Sequence, residues 1–213
     1  MSIKLKGSTA GSVALDAPAN TSPSGSDIAL TLPIDAGSAN QYLRNSSTAG
    51  SLEFVTHRGF VTYAIICDQK TSSADGGTAT SGAWRTRDLN TEIADPDGIV
   101  SISSNQFTLG AGTYLIKFSA PACQVEAHQA KLYDITGTAD VQLGSTEFSG
   151  QAPSISQSRS IGAARVSISG NNVYEIRHRV GSTKATFGFG VGPAGPASWG
   201  DHIFTQVEIY KEA

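Results

Sequence analysis

The sequence predicts an all-β fold, and three observations support that prediction. Residues 173–180 and 203–210 alternate apolar and polar side chains with a period of two, the spacing of a strand with one buried and one exposed face. Short runs rich in Gly, Ser, Asn and Pro separate the alternating runs along the whole chain, as turns separate strands. No window carries a sustained apolar stripe at i, i+3, i+4 and i+7, so we expect little helix.

Residues 1–58 form a first segment made of short alternating runs. Each run offers only a few apolar side chains on one face, too few to build an independent core. We therefore expect this segment to order against a partner surface, and copies of the same chain are the simplest partner. The runs are 3–7, 12–16, 27–33, 41–44 and 51–55.

Residues 59–213 predict a head of longer, aromatic-rich strands. So many antiparallel strands must close or pair into two sheets to hide their edges. We therefore predict an antiparallel jelly-roll sandwich head with an extended, strand-rich N-terminal anchor or stalk. The predicted strands are 60–67, 84–93, 107–118, 129–135, 141–143, 163–168, 173–180, 184–191 and 203–210. The expected core residues are Phe60, Ile65, Phe107, Leu109, Tyr114, Ile116, Phe118, Leu132, Tyr174, Ile176, Phe187, Val207 and Ile209.

The composition excludes several classes of function. A formal net charge of -3 gives no basic field that could hold a phosphate backbone, so we expect no nucleic-acid partner. No apolar run approaches the roughly twenty residues of a membrane span, and no signal-peptide pattern follows Met1. We expect synthesis in the cytosol and no membrane insertion. Cys67 and Cys123 lie in apolar runs, and we expect buried free thiols there rather than a disulfide.

Catalytic and metal-binding signatures are not assembled in this sequence, so we predict no enzyme, no cofactor and no metal. The histidines do not pair at zinc-ligand spacing, and His178 is expected to be packed in the core or at an interface. Asp95-Pro-Asp-Gly98 lacks the further acidic ligands of a calcium loop, which favours a turn. Residues 188–192 imitate a phosphate loop, but they run into Pro193 and no helix follows.

Two aromatic positions are the candidates for surface recognition. Trp199 lies in a Gly/Pro-rich loop close to His202, and an indole face can cover the apolar face of a sugar ring at low entropy cost. A cap on the core or a subunit interface is the alternative role for Trp199. Trp84, followed by Arg85 and Arg87, is the second candidate.

Two sets of segments resemble bacteriophage fibre proteins. The runs Phe-Thr-Leu-Gly-Ala-Gly-Thr-Tyr-Leu-Ile-Lys-Phe-Ser-Ala-Pro-Ala (107–122) and Trp-Arg-Thr-Arg-Asp-Leu-Asn-Thr (84–91) resemble the C-terminal head of phage fibres and other virion proteins. This likeness continues through 129–136, 174–180, 188–190 and 203–211. Residues 5–15, 30–33, 37–43 and 52–54 are similar to the stalk segment of tail-fibre proteins.

The resemblance implies a tumour-necrosis-factor-like jelly-roll head that forms homotrimers and is mounted on other virion proteins through residues 1–58. The implied function is that of a structural virion protein, assembled in the host cytoplasm. It would be a tail fibre or a short attachment fibre at the baseplate that adheres to host surface polysaccharide. Three copies would supply retention by avidity. A capsid decoration or cement protein, or a head fibre that stabilises the shell, is the alternative. A polysaccharide-cleaving tailspike would need a carboxylate pair, which the head does not display.

Overall fold

The computed structural model describes residues 3–6, 12–15, 30–38, 41–48, 51–56, 59–151, 153, 155–193 and 200–213. The chain forms two compact units, Met1–His57 and Arg58–Ala213. The described residues contain strands, turns and bridges but no helix, and so no helix that could cross a membrane. The prediction of an all-β fold is confirmed.

In the described part of the first unit, two small antiparallel hairpins match four of the predicted runs. The fifth run, 27–33, lies partly outside the described residues, and within it Thr31 forms one isolated bridge with Ser51. The apolar side chains of Leu32 and Ile34 are largely or wholly exposed. The strands are β1 (Ile3–Lys6), β2 (Ser12–Leu15), β3 (Gln41–Asn45) and β4 (Leu52–Thr56).

The second unit is the jelly-roll sandwich that the sequence predicts. Its strands are β5 (Phe60–Lys70), β6 (Arg85–Thr86), β7 (Thr91–Ala94), β8 (Val100–Ser103), β9 (Gln106–Leu109), β10 (Gly112–Cys123), β11 (Glu126–Asp134), β12 (Ala139–Leu143), β13 (Glu147–Ser149), β14 (Gln157–Ile168), β15 (Asn172–Val180) and β16 (His202–Glu212). One sheet has the order β14-β10-β16-β5-β7, and the other has the order β12-β11-β15-β9-β8 with β13 and β6 added at β11 and β15. Consecutive long strands alternate between the sheets, which buries one face of each.

The core lies between the two sheets and contains most of the residues that alternation predicted. Phe107 and Tyr174 stack with ring centroids 5.6 Å apart at its centre. Three predicted core residues do not belong to it, since Phe60 is 48% exposed and Ile65 and Phe187 are only half-buried. Phe60 begins β5 beside an irregularity in the β5–β16 pairing, and its ring lies against Tyr210 with centroids 5.0 Å apart. The confirmed core residues are Phe107, Leu109, Tyr114, Ile116, Phe118, Leu132, Tyr174, Ile176, Val207 and Ile209. The thiols of Cys67 and Cys123 are free and buried.

Two predicted strands differ from the structure. The run 84–93 is divided into β6 and β7, because the chain turns inward between them to bury Arg87 and Leu89. The run 184–191 is a series of turns rather than a strand, apart from an isolated bridge between Lys184 and Ala79. Its backbone bonds directly to residues 76–79, where Ala79 N donates to the Lys184 carbonyl at 2.9 Å, and the Gly188 carbonyl accepts from Cys123 N at 3.0 Å.

Replacing Gly188 with alanine tests this close backbone packing. A Cβ at Gly188 would lie 2.4 Å from the carbonyl oxygen of Lys184 and 2.7 Å from the Cβ of Ala79, and backbone on that side has little freedom to move. We expect a loss of about 1–3 kcal/mol of unfolding free energy in a urea titration. Gly170→Ala is the matched control, because no atom lies within 4 Å of its Cβ position. Equal effects of the two variants would contradict the packing described.

Candidate functional site

The outer face of the five-stranded sheet carries an aromatic patch, formed by Phe60, Tyr63 and Tyr210. Tyr63 and Tyr210 are directly opposite each other in the β5–β16 pairing. The rings of Phe60 and Tyr210 have centroids 5.0 Å apart. Phe60 and Tyr63 point away from the core and are nearly half exposed. An aromatic cluster on an open sheet face is typical of a surface that another polypeptide covers.

Beside this patch the same face carries a polar strip. Tyr210 donates its hydroxyl proton to Glu208 Oε2 at 2.8 Å, and Lys117 Nζ lies 3.9 Å from the same oxygen. Glu208 and Lys117 are directly paired across β16 and β10. Arg165 of β14 forms a two-pronged ion pair with Glu212, with donor–acceptor distances of 2.8 and 2.7 Å. These four charged side chains therefore neutralise one another within the chain.

Towards the β14 edge of the sheet lies a second surface, of mixed polar and apolar lining, that we call the edge groove. It is an open cavity of about 680 Å³, bounded by residues that include Arg159, Ile161 and Glu208. Ile161 is 60% exposed. Arg159 is held in place by the carbonyl of Phe204, which accepts from Nη1 at 2.8 Å and from Nη2 at 2.9 Å. The edge groove is lined by β14, β10 and β16, whereas the aromatic patch lies on β5 and β16, so β16 contributes to both surfaces.

Trp84 lies on the outer face of the other sheet, above a second cavity of about 270 Å³. The Nζ atom of Lys131 lies 4.2 Å from the centroid of its indole ring, and Lys131 is also paired with Asp140. Arg177, on the neighbouring strand, covers the ring of Tyr133 at 3.4 Å. The cation–π contact with Lys131 holds the indole ring in place from one side.

Arg87 is the centre of a polar cluster between the sheets and is only 1% exposed. Its Nε donates to Thr205 Oγ1 at 2.9 Å, its Nη1 to the Pro121 carbonyl at 2.9 Å and its Nη2 to the Phe189 carbonyl at 2.7 Å. The guanidinium carbon lies 4.2 Å from the centroid of the Phe189 ring. Burial lowers the pKa of Arg87 to about 9, so the side chain remains a cation at neutral pH. The assignment of Arg87 to surface recognition is wrong, because the strand end turns it into the core.

A carboxylate accompanies this buried cation. Asp68 is fully buried, and its Oδ1 lies 2.9 Å from Lys70 Nζ. Lys70 also donates to Asp88 Oδ2 at 2.7 Å. Burial raises the pKa of Asp68, and the neighbouring Lys70 and Arg87 oppose that change. Among the described residues no three His, Cys, Asp or Glu side chains form a metal-binding group.

Two histidines extend the cluster as a chain of hydrogen bonds. His178 Nε2 and His128 Nδ1 are 3.0 Å apart, and His128 Nε2 lies 2.8 Å from Ser158 Oγ. Arg87 Nη1 lies 3.5 Å from His178 Nδ1, and an arginine can only donate, so this nitrogen accepts. His178 Nε2 then donates to His128 Nδ1, and His128 Nε2 donates to Ser158 Oγ. Ser158 ends the chain by donating to the carbonyl of Phe148 at 3.2 Å. The chain is satisfied only when both imidazoles are neutral.

The remaining predicted recognition residues are dispersed. Trp199 lies outside the described residues. His202 is half-buried, and its Nδ1 donates to the carbonyl of Ala74 at 3.0 Å. Arg85 is exposed on β6 next to Trp84. The carboxylate of Asp95 accepts two backbone N–H groups at 2.9 Å, as a turn residue does.

No protein-family model matches the sequence, and no curated protein matches it. Solved structures with a similar chain path include the globular domain of the zebrafish complement 1qA protein, at 13% identity and a TM-score of 0.44 over 70% of this chain and 96% of that one. Others are the Eiger TNF of S. frugiperda, at 14% identity and a TM-score of 0.47 over 73% and 94%, and murine APRIL, at 7% identity and a TM-score of 0.43 over 70% and 98%. Likeness at this level carries no argument about function or assembly.

Proposed function

We propose that the head assembles into a homotrimer through the outer face of its five-stranded sheet and serves as the adhesive end of a virion fibre. The observation that carries the assembly is the exposed aromatic patch of Phe60, Tyr63 and Tyr210 on that face. In a monomer these rings remain in contact with water, whereas a neighbouring copy would bury them. Each fully buried aromatic side chain contributes about 1.5–3 kcal/mol.

The two different surfaces of this sheet face, the aromatic patch and the edge groove, favour a closed ring over a two-fold dimer. In a two-fold dimer one patch meets itself, whereas contact between two different patches produces a ring when the rotation closes. The aromatic patch at the β5 side of the sheet and the edge groove towards β14 are such a pair. Internally neutralised charges between them allow the faces to approach without a large electrostatic cost. The resemblance to fibre heads supports three copies in the ring.

The first unit supports the role of an anchor. Leu32, Ile34, Tyr42 and Leu43 are exposed in this unit. Two-stranded sheets with exposed apolar residues are marginal alone in water, so a partner is needed to cover them. We assign that role to other virion proteins, in agreement with the likeness of residues 1–58 to a fibre stalk.

Tyr63→Asp tests the assembly. The charge would be buried unpaired in the proposed interface, so we expect the trimer to dissociate into monomers at micromolar concentration, measured by light scattering coupled to size exclusion. Leu143→Asp is the matched control, because Leu143 is 47% exposed against 43% for Tyr63 but lies on the other sheet. Wild-type protein that is already monomeric, or equal effects of both variants, would refute the proposal.

Mixing two variants tests whether the contact joins different surfaces. Tyr63→Asp retains an intact edge groove, and Ile161→Asp retains an intact aromatic patch. In a ring of unlike contacts each variant alone is monomeric, but their mixture has one intact interface and forms a heterodimer. A two-fold contact of the aromatic patch with itself would leave Ile161→Asp dimeric on its own, which would contradict the ring.

Labelling intact particles tests the location. An antibody against the head, seen by electron microscopy, is expected at the free ends of tail fibres or at the baseplate. Label spread over the capsid shell would refute the fibre assignment and support a decoration protein.

A further inference from the structure

The cavity beside Trp84 combines an aromatic wall, hydrogen-bonding groups and one cation. It has a volume of about 270 Å³, and its lining includes Trp84, Gln129, Thr146, Arg179 and Gly181. This volume lies near the lower end of the range of small-molecule pockets, about 300–1,000 Å³. A cavity of this size accommodates a single small ring rather than a folded partner.

On the described part of this sheet face, two cations are paired with carboxylates and a third is not. Lys131 is neutralised by Asp140, and Arg177 by Glu175. Arg179 is exposed and forms no ion pair among the residues that the structure describes. The cavity therefore presents one uncompensated guanidinium, which prefers a planar, two-oxygen anion such as a carboxylate.

The rest of the lining favours a sugar over a simple anion. Trp84 is half-buried and is held by Lys131 at 4.2 Å, so its position is set before any ligand arrives. Gln129 donates its amide to the carbonyl of Gly144 at 2.8 Å, which fixes the amide and leaves the carbonyl oxygen to accept from a hydroxyl group. An indole face, a fixed acceptor and the Thr146 hydroxyl match a ring with an apolar C–H face and a hydroxyl edge.

We infer that this cavity, lined by Trp84, Gln129, Thr146 and Arg179, binds an acidic sugar residue, with the ring on the indole and its carboxylate on Arg179. Its role in adhesion rests on the proposed function, whereas its ligand chemistry does not. The site replaces the sequence-based grouping of Trp84 with Arg87, because Arg87 is buried and Arg179 lies in the lining.

The test compares methyl β-glucuronide with methyl β-glucoside. These sugars differ only at C6, where the glucuronide has a carboxylate and the glucoside a hydroxymethyl group. Both are titrated into the full chain, and the indole N–H signal of Trp84, assigned by its loss in Trp84→Phe, is followed by nuclear magnetic resonance. We expect the glucuronide to bind in the millimolar range and at least about tenfold more tightly than the glucoside, as one charge-assisted contact provides. Equal affinities, or no shift of the Trp84 signal with either ligand, would overturn the inference.

Variants separate the two parts of the site, with affinity measured by calorimetry. Arg179→Gln is expected to remove the preference for the glucuronide and to retain glucoside binding. Trp84→Ala is expected to weaken both ligands at least about tenfold, and Trp84→Phe to weaken both less. Arg165→Gln is the control, because that exposed arginine is paired with Glu212 on the other sheet. A loss of preference in the control, or an unchanged preference in Arg179→Gln, would refute the role of Arg179.

Two further outcomes keep this inference distinct from its alternatives. N-acetylaspartate amide carries a carboxylate without a sugar ring, and binding as tight as that of the glucuronide would overturn the sugar assignment. The oligomeric state is measured on the same samples. A monomer that binds the glucuronide supports this site and refutes the trimer, whereas a trimer that does not bind refutes the site alone.

Discussion

Replacing Arg87 with methionine is expected to remove about 3–5 kcal/mol of unfolding free energy, a large part of the roughly 5–15 kcal/mol of a typical domain. Methionine has a similar length but donates no hydrogen bond. Thr205 Oγ1 and the carbonyls of Pro121 and Phe189 would all lose their donor inside the sandwich. Each buried acceptor left without a partner costs about 1–3 kcal/mol. Buried Asp68 would also lose a nearby cation that opposes the rise of its pKa.

Urea titrations of all variants at one fixed protein concentration measure this loss, because the stability of an oligomer depends on protein concentration. Arg85→Met is the matched control, since Arg85 lies two positions earlier and is exposed. We expect that control to change the unfolding free energy by less than about 0.5 kcal/mol. Arg87→Lys keeps the charge but provides one ammonium in place of a planar fork, so it should restore only a small part of the loss. A loss below about 1 kcal/mol in Arg87→Met would contradict the central role of this cluster.

The sandwich could be predicted from the sequence because its strands obey alternation. Alternate positions, Ala130 and Leu132 in β11 and Tyr174 and Ile176 in β15, belong to the core between the sheets. Lys131 and Glu175 between them are also buried, on the other face of the strand. The turns of residues 184–191 could not be predicted, because Phe187 and Phe189 alternate with glycines in the same way as strand residues. The sequence did contain a signal there: a glycine at 188, 190 and 192 is typical of close backbone contact rather than of a strand.

The polar cluster and the Trp84 cavity depend on register, which no local pattern encodes. His128 and His178 are 50 residues apart in the chain and meet because β11 and β15 pair with His128 opposite Val180. The sequence 84–87 has a tryptophan and two arginines in a row of polar residues, which resembles a surface strip. Only the inward turn after β6 separates exposed Arg85 from buried Arg87. Arg179 joins Trp84 by the same kind of long-range pairing.

Acid is expected to destabilise the head through the two buried histidines. Burial lowers the pKa of His128 to about 4, with Glu147 opposing and Arg87 reinforcing the decrease. Burial, Arg87 and His128 also hold the pKa of His178 well below its ordinary value. The unfolded chain takes up protons near pH 6.5, whereas the folded chain resists them. The unfolded state therefore binds more protons below that pH, so the unfolding free energy falls as the pH drops from about 6.5 towards 4.

The hydrogen-bond chain explains why the folded protein binds protons at these histidines so weakly. A proton on His178 Nδ1 would face the guanidinium of Arg87, and a proton on His128 Nδ1 would face the N–H of His178. For His128 alone the loss of unfolding free energy at pH 4 is on the order of 3 kcal/mol. Urea midpoints measured between about pH 7.5 and about pH 4.5 follow this decrease through the range in which histidine titrates.

Glutamine at both positions supplies the decisive comparison. The His128→Gln/His178→Gln variant has no imidazole at the cluster, so we expect a lower stability at neutral pH but a flatter decrease in acid. His202→Gln should retain the slope of the unaltered chain, because His202 bonds to Ala74 outside the cluster. If the double variant declined as steeply as the unaltered chain, the acid sensitivity would have to come from carboxylates instead.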